Sequence, residues 1–132
     1  MAAHPNAEKF ARALEAFGRG DMATLAAEHF APDIVWHMAG RSPLAGTYKG
    51  VEDVFGLFGR MMELSAGTFA VAPHAILGDD DHVVLLAQTS GSRPDGRRLD
   101  VSECLVIHVV DGRETEVWHS QYDRDAWDEF WA

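Results

Sequence analysis

The dipeptide Asp111-Gly112 constrains this chain more than any other feature. It stands between two runs that read as strands, Arg98–Val110 and Arg113–Tyr122. Asp-Gly is a pair favoured by two-residue hairpin turns that need positive φ at both positions. Such a turn fixes the pairing, with Val110 opposite Arg113. His108 then faces Thr115, Val106 faces Val117, Cys104 faces His119 and Ser102 faces Gln121. Strand side chains alternate. One sheet face therefore carries Ser102, Cys104, Val106, His108, Thr115, Val117, His119 and Gln121. The other carries Glu103, Leu105, Ile107, Glu114, Glu116, Trp118 and Tyr122. A second turn signal, Arg93-Pro94-Asp95-Gly96, precedes this hairpin. A three-residue Pro94-Asp95-Gly96 loop pairs Arg93 with Arg97, sets Gln88 opposite Ser102 and Leu86 opposite Cys104, and brings Val84 onto the face of Val106.

The rest of the chain supplies two more strands of this series and the helices. Phe69–Leu77 and His82–Ser92 read as strands joined by a Gly-Asp-Asp-Asp turn. Upstream, Phe10, Ala13, Leu14 and Phe17 recur at helical spacing, and Gly18-Arg19-Gly20 ends that helix. Asp21 caps a second helix with Met22, Leu25 and Ala26, which Pro32 closes. Ile34–Met38 is a short strand, and Ser42–Gly50 is a loop. A third helix carries Val51, Val54, Phe55, Phe58 and Met62 on one stripe. Gly56 and Gly59 inside it either admit another backbone closely or are simply tolerated at about 1 kcal/mol each. A short helix, Asp125–Trp131, ends the chain. Helices first and strands afterwards predict a single α+β domain over residues 1–132.

Charge and composition exclude whole classes of function. Asp and Glu outnumber Lys and Arg 21 to 11, for a net charge of −10. With no basic cluster, nucleic-acid binding is not expected. No apolar run approaches the roughly 18 residues a membrane span needs. The opening Met1-Ala2-Ala3-His4-Pro5-Asn6 has no basic region followed by an apolar stretch, so the cytoplasm is the expected location. Cys104 is the one cysteine, and the seven histidines include no HxxxH or HExxH spacing. With no Gly-rich phosphate loop either, neither a metal nor a nucleotide cofactor is expected.

The first sheet face grades from apolar (Val84, Val106, Val117) to polar (Gln88, Ser102, His119, Gln121, with Asp100 and Asp123 beyond). That is the composition of a small-molecule pocket. Trp36, Met38, Phe55, Phe58 and Met62 would supply its apolar wall and Tyr48 its rim. His119 is a candidate proton-transfer group, since imidazole can give and take a proton near neutral pH. Asp123 would assist it, unless its carboxylate caps the last helix. Asp100 lies across from Asp123 if the ladder extends so far. Cys104 is either a nucleophile beside His119 or a small buried hydrophobe. The second face, with Leu105, Ile107, Trp118 and Tyr122, would then be a subunit interface. Alternation also permits the reverse, with the second face as the core and the first half-solvated.

Five segments together resemble the nuclear-transport-factor-2-like superfamily, and within it the SnoaL-like group related to polyketide cyclases. They are Ala16-Phe17-Gly18-Arg19-Gly20-Asp21, Phe30-Ala31-Pro32-Asp33-Ile34-Val35-Trp36-His37, Leu44-Ala45-Gly46-Thr47-Tyr48-Lys49-Gly50, Val109–Trp118 and Asp128-Glu129-Phe130-Trp131. The resemblance implies a cone, a curved mostly antiparallel sheet over three N-terminal helices with a short C-terminal helix, often dimeric through its outer sheet face. Members include ketosteroid isomerases, epoxide hydrolases, dehydratases, polyketide cyclases and non-catalytic binding proteins, so fold alone does not settle function. The isomerase pattern is not met: its base falls at Met38, and its oxyanion-hole residues fall near Ala13 and Cys104. Ser120 stands where the epoxide-hydrolase pattern has its last-strand Asp. The polyketide-cyclase pattern, Glu-x-Trp followed by an acid/base Asp, matches Glu116, Trp118 and Asp123, the last offset by one residue. The function this implies is a cofactor-independent acid/base enzyme of isomerase, cyclase or hydratase type. It would act on a small apolar or polycyclic carbonyl compound, with Gln88 or Gln121 orienting the substrate. The alternative is a non-catalytic ligand-binding or interaction domain.

Overall fold

In a computed structural model that describes residues 3–132, helix α1 (Pro5–Gly18) begins with proline at its first position. There the missing N–H costs nothing, and His4 Nδ1 accepts from Asn6 N–H at 3.1 Å. Its buried residues, Ala7, Phe10, Ala13 and Ala16, recur every third position and form one stripe. Gly20, at φ +71°, turns the chain out of the helix. Asp21 then caps α2 (Met22–Thr24), accepting from the backbone and hydroxyl of Thr24. A π-helical turn, Leu25–His29, leads straight into strand β1 (Phe30–Met38). That strand is four residues longer at its start than the apolar run Ile34–Met38 predicts. Part of the expected loop Ser42–Gly50 is strand β2 (Gly46–Lys49), paired antiparallel with the end of β1. Helix α3 (Val51–Leu64) follows. A Cβ added at Gly56 or Gly59 would meet nothing within 4 Å, so those glycines are tolerated and admit no close backbone.

Strands β3 (Ala70–Gly78), β4 (His82–Ser92), β5 (Arg98–Val110) and β6 (Arg113–Gln121) complete one six-stranded sheet of order β2-β1-β6-β5-β4-β3. All neighbours are antiparallel except β1 and β6. The register shifts between Phe30 and Val35, between Pro73 and Ala75, and between His108 and Val109. Bulges of this kind bend and twist a sheet, and here they wrap it over the helices. Pro73 sits on the edge strand β3, where its missing N–H breaks no central ladder.

The β4–β5 register is the expected one, with Gln88 opposite Ser102 and Leu86 opposite Cys104. The β5–β6 register is the expected one only at the turn. Asp111 and Gly112 both have positive φ (52° and 76°), and Val110 pairs with Arg113. Thr115 is then extruded: Val109 faces Glu114, but His108 faces Glu116. Its hydroxyl donates to the His108 carbonyl oxygen at 3.1 Å. From there on Ile107 faces Val117, Leu105 faces His119 and Glu103 faces Gln121. The core therefore gathers Leu99, Val101, Leu105, Ile107 and Val109 of β5 with Val83, Leu85 and Ala87 of β4, against α1, α3 and the C-terminal helix. That helix, α4 (Arg124–Trp131), buries Trp127, Phe130 and Trp131. Arg93 and Arg97 from the β4–β5 loop donate to its last backbone oxygens at Phe130 and Ala132, the cationic partners that a helix C-terminus favours. None of the described helices is long and apolar enough to cross a membrane.

Candidate functional site

The concave sheet face and the helices do not close completely on one another. They leave an apolar cavity between them, part of it open to solvent. Phe10 and Phe17 of α1, Phe30 and Trp36 of β1 and Phe58 of α3 form its aromatic wall. Phe58 stands edge-on to both Phe17 and Trp36, with ring centroids 5.1 Å apart in each case. The half-buried lining residues Leu14, Phe17 and Val71 mark the side that meets solvent. Against this apolar surface stand three ionisable side chains, Glu103, His119 and Glu114.

His119 and Glu103 form a pair. They lie on adjacent strands, their side chains point inward, and His119 Nε2 is 2.8 Å from Glu103 Oε1. Both are almost completely buried, at 5% and 2% exposure. In the neutral imidazole, the ring nitrogen that meets a carboxylate carries the hydrogen and the other nitrogen keeps its lone pair. Nδ1 has no partner among the described residues, and neither has Trp36 Nε1. The imidazole is held edge-on between Trp36 (6.0 Å, 83°) and Trp127 (5.3 Å, 64°). The carboxylate thus orients the ring through one nitrogen, and the other nitrogen is buried and unpartnered among the described residues. The indole N–H of Trp36 is a donor on the same wall.

Glu114 stands further along β6, between the main cavity and a smaller crevice lined by Asn6, Lys9 and His29. It is 6% exposed. Burial pushes its carboxyl up to about 8, against the opposing pull of Lys9. Lys9 Nζ donates instead to the Gly112 carbonyl oxygen at 2.7 Å. Burial likewise holds the His29 imidazole below its ordinary value. Among the described residues, no group of three or more His, Cys, Asp or Glu side chains is placed to hold a metal ion.

A family model for the SnoaL-like domain matches residues 10–117. The chain belongs to the SnoaL-like family. The uncharacterized protein Rv0034 of Mycobacterium tuberculosis is 32% identical to it over 121 residues, 92% of each chain. Bal32a, from a soil-derived mobile gene cassette, is 40% identical over 96% of both chains, with a TM-score of 0.91. IdmH from Streptomyces antibioticus, a candidate polyketide cyclase, is 23% identical over 91% of this chain and 94% of its own, with a TM-score of 0.75. That last likeness is one of fold. Solved structures described as nuclear-transport-factor-2-like also superpose on nearly the whole chain, so the SnoaL-like fold is here the expected cone.

Within this SnoaL-like cone the expected site residues divide. Trp36, Phe58 and His119 line the cavity. Met38 and Val117 are buried in the core beside it, and Gln121 is buried with both amide atoms unpartnered. Phe55 packs on Phe30 and Phe58 from a half-buried position. Met62 is half-buried, while its neighbour Met61 lines the cavity. Tyr48 is tied back, its hydroxyl donating to the Leu44 carbonyl oxygen at 2.7 Å. Four expected pocket residues face the other way. The extruded Thr115 moves the β6 pairing along by one, so Gln88, Ser102, Cys104 and Val106 lie on the outer sheet face. There Ser102 donates to Gln88, and Gln88 to Asp100. Burial pushes the Cys104 thiol up, and Cys104 faces Ser120 instead of His119.

The SnoaL-like cyclase motif does not converge on the cavity either. Glu116 meets His37 at 2.6 Å, Trp118 stacks on His37 at 5.7 Å and 19°, and both lie on the outer face. Asp123 is the N-cap of α4, its Oδ1 accepting from Ala126 N–H at 3.0 Å. It is exposed and plays the capping role. Glu103 and Glu114 were assigned by alternation to the face opposite His119. The signal that locates Glu103 is its place in the run Leu99, Val101, Glu103, Leu105, Ile107, Val109: a carboxylate on an otherwise apolar parity.

Proposed function

We propose that this SnoaL-like protein is a cofactor-independent acid/base enzyme that moves a proton next to the carbonyl of a small apolar or polycyclic compound. The observation that carries this reading is the buried His119–Glu103 pair on the wall of an apolar cavity. His119 Nδ1 takes the proton from the carbon beside the carbonyl. Glu103 holds the ring and stabilises the imidazolium that forms. Trp36 Nε1–H donates to the oxygen on which charge develops. Returning the proton to another carbon completes an isomerisation; attack of the carbanion on a second carbonyl carbon of the same molecule, breaking its C=O π bond and passing the imidazolium proton to the alkoxide that forms, completes a cyclisation. The shared fold with a candidate polyketide cyclase supports the choice of a polycyclic carbonyl compound. We further propose that two copies pair through the outer sheet face.

The test is exchange of ketone α-protons in deuterated water, followed by NMR with a panel of bicyclic ketones. The wild-type protein should accelerate exchange. His119→Asn, which keeps size and some hydrogen bonding, should lose about 10²–10⁴-fold in rate while remaining folded. Ligand binding without any exchange would favour a non-catalytic binding protein.

A further inference from the structure

Glu114 takes no part in the proton transfer, yet it is built into the same cavity wall. Carboxyl groups are seldom fully buried without a partner, and no hydrogen bond joins the Glu114 side chain to any other described residue. The nearest cation is committed elsewhere, with Lys9 Nζ on the Gly112 carbonyl oxygen. Glu114 and His119 share the inner face of β6 because Thr115 is extruded between them. With one residue lost to the bulge, about four strand steps of 3.3 Å separate them, roughly 13 Å along the strand. The rest of the cavity wall is apolar, with Phe10, Leu85 and Phe58 among its residues. The cavity thus has two polar ends and a long apolar middle.

We propose that Glu114 is a second anchor of this cavity, donating its carboxyl O–H to an acceptor oxygen at the far end of an elongated apolar ligand whose reacting end lies at His119. The proposal deepens the proton-transfer reading and rests on it for the orientation of the ligand. A span of roughly 13 Å suits a flat molecule of two or three fused rings with an oxygen at each end. It suits a single-ring compound poorly. Burial keeps the carboxyl protonated up to about pH 8, so near neutral pH it is a donor, and its ionised form would repel a carbonyl oxygen. Lys9 and His29 face Glu114 from α1 and from the turn before β1, and Arg113 precedes it on β6. Glu103 and His119 stand at the other end of the cavity.

Binding of two probes of the same shape, 2,6-diacetylnaphthalene and 2-acetyl-6-ethylnaphthalene, read by quenching of tryptophan fluorescence, tests this. One acetyl oxygen can occupy the His119 end, so the pair reports on the second. The wild-type protein at about pH 6 should prefer the diacetyl probe by about tenfold, the worth of one buried hydrogen bond. The preference should vanish as pH rises past about 8. Glu114→Gln keeps a donor and should retain the preference at every pH, and Glu114→Met should lose it at every pH. Equal affinity of the wild type for both probes at about pH 6, no binding of either, or a preference and pH profile shared by the wild type and Glu114→Gln would each overturn the proposal. Deuterium exchange by the wild type alongside any of these results would leave His119 in place and remove only Glu114.

Discussion

At the scale of single residues, the site is decided by how three buried ionisable groups are matched. Glu103 and the Nε2 of His119 satisfy each other, and separating such a pair leaves a charge or a donor stranded in apolar surroundings. Glu114 has no hydrogen-bond partner among the described residues, and its burial has a consequence for stability that needs no substrate to observe. Its carboxyl sits at about 8 in the folded chain against 4.5 in an exposed one. Below about 4.5 both states hold the proton and the group is neutral to folding. Between the two values the unfolded chain has released its proton and the folded chain has not, so stability falls as pH rises. The slope approaches 1.4 kcal/mol per pH unit, at about one proton of difference. Above about 8 both states are ionised and the loss levels off. Glu114→Gln removes this term. Urea unfolding between about pH 5 and pH 8 should therefore show the variant gaining on the wild type with each unit of pH. Parallel profiles for the two proteins would mean that the carboxyl is already ionised in the fold.

At the scale of elements, the hairpins show which part of the fold is legible in sequence and which is not. Gly96 at φ +98° and the Arg93–Arg97 pairing follow from Pro94-Asp95-Gly96, and the whole β4–β5 ladder is in the expected register. Asp111-Gly112 likewise gives its own turn. Thr115 then breaks the count, and nothing in Arg113-Glu114-Thr115-Glu116 announces a bulge. β1 makes its own irregular passage from Phe30 to Val35 through Pro32, opposite the same stretch of β6. A bulge is a tertiary accommodation, and a slip of one position exchanges every residue beyond it between faces. For this reason His119 is inside, as expected, while Cys104 and Val106 are not. Asp123 was open between two roles in the sequence, and geometry assigns it to the cap of α4. Asp123→Ala should cost about 1 kcal/mol of stability, measured by denaturant midpoint, and leave ligand affinity and exchange rate unchanged. A selective loss of turnover in a normally stable Asp123→Ala protein would return it to the mechanism.

At the scale of the whole molecule, the sheet has one face committed to the cavity and one without a covering layer. The core residues of the helices pack on the inward residues of the sheet, those of α3 on β1 and those of α4 on β5 and β6. On the outer face Trp118 is 43% exposed and Tyr122 75%, flanked by half-buried Val84, Leu86, Cys104 and Val106. On this patch the His37 ring stacks on Trp118 and is itself held by Glu116. We propose the apolar strip along the middle of this face as an association surface, in a chain otherwise carrying a net charge of −10. A second copy is the partner we propose, because an isologous contact about a two-fold axis sets the apolar strip of one chain on that of the other and closes the assembly. The wild-type protein should scatter light as a dimer at micromolar concentration. Trp118→Glu combined with Tyr122→Lys places charge in the middle of the strip and should give monomers. Since neither residue touches the cavity, the monomer should still bind the acetylnaphthalene probes. A wild-type chain that is monomeric at that concentration would sink the two-fold contact. A charged variant that stays dimeric would move the contact to another face of the cone.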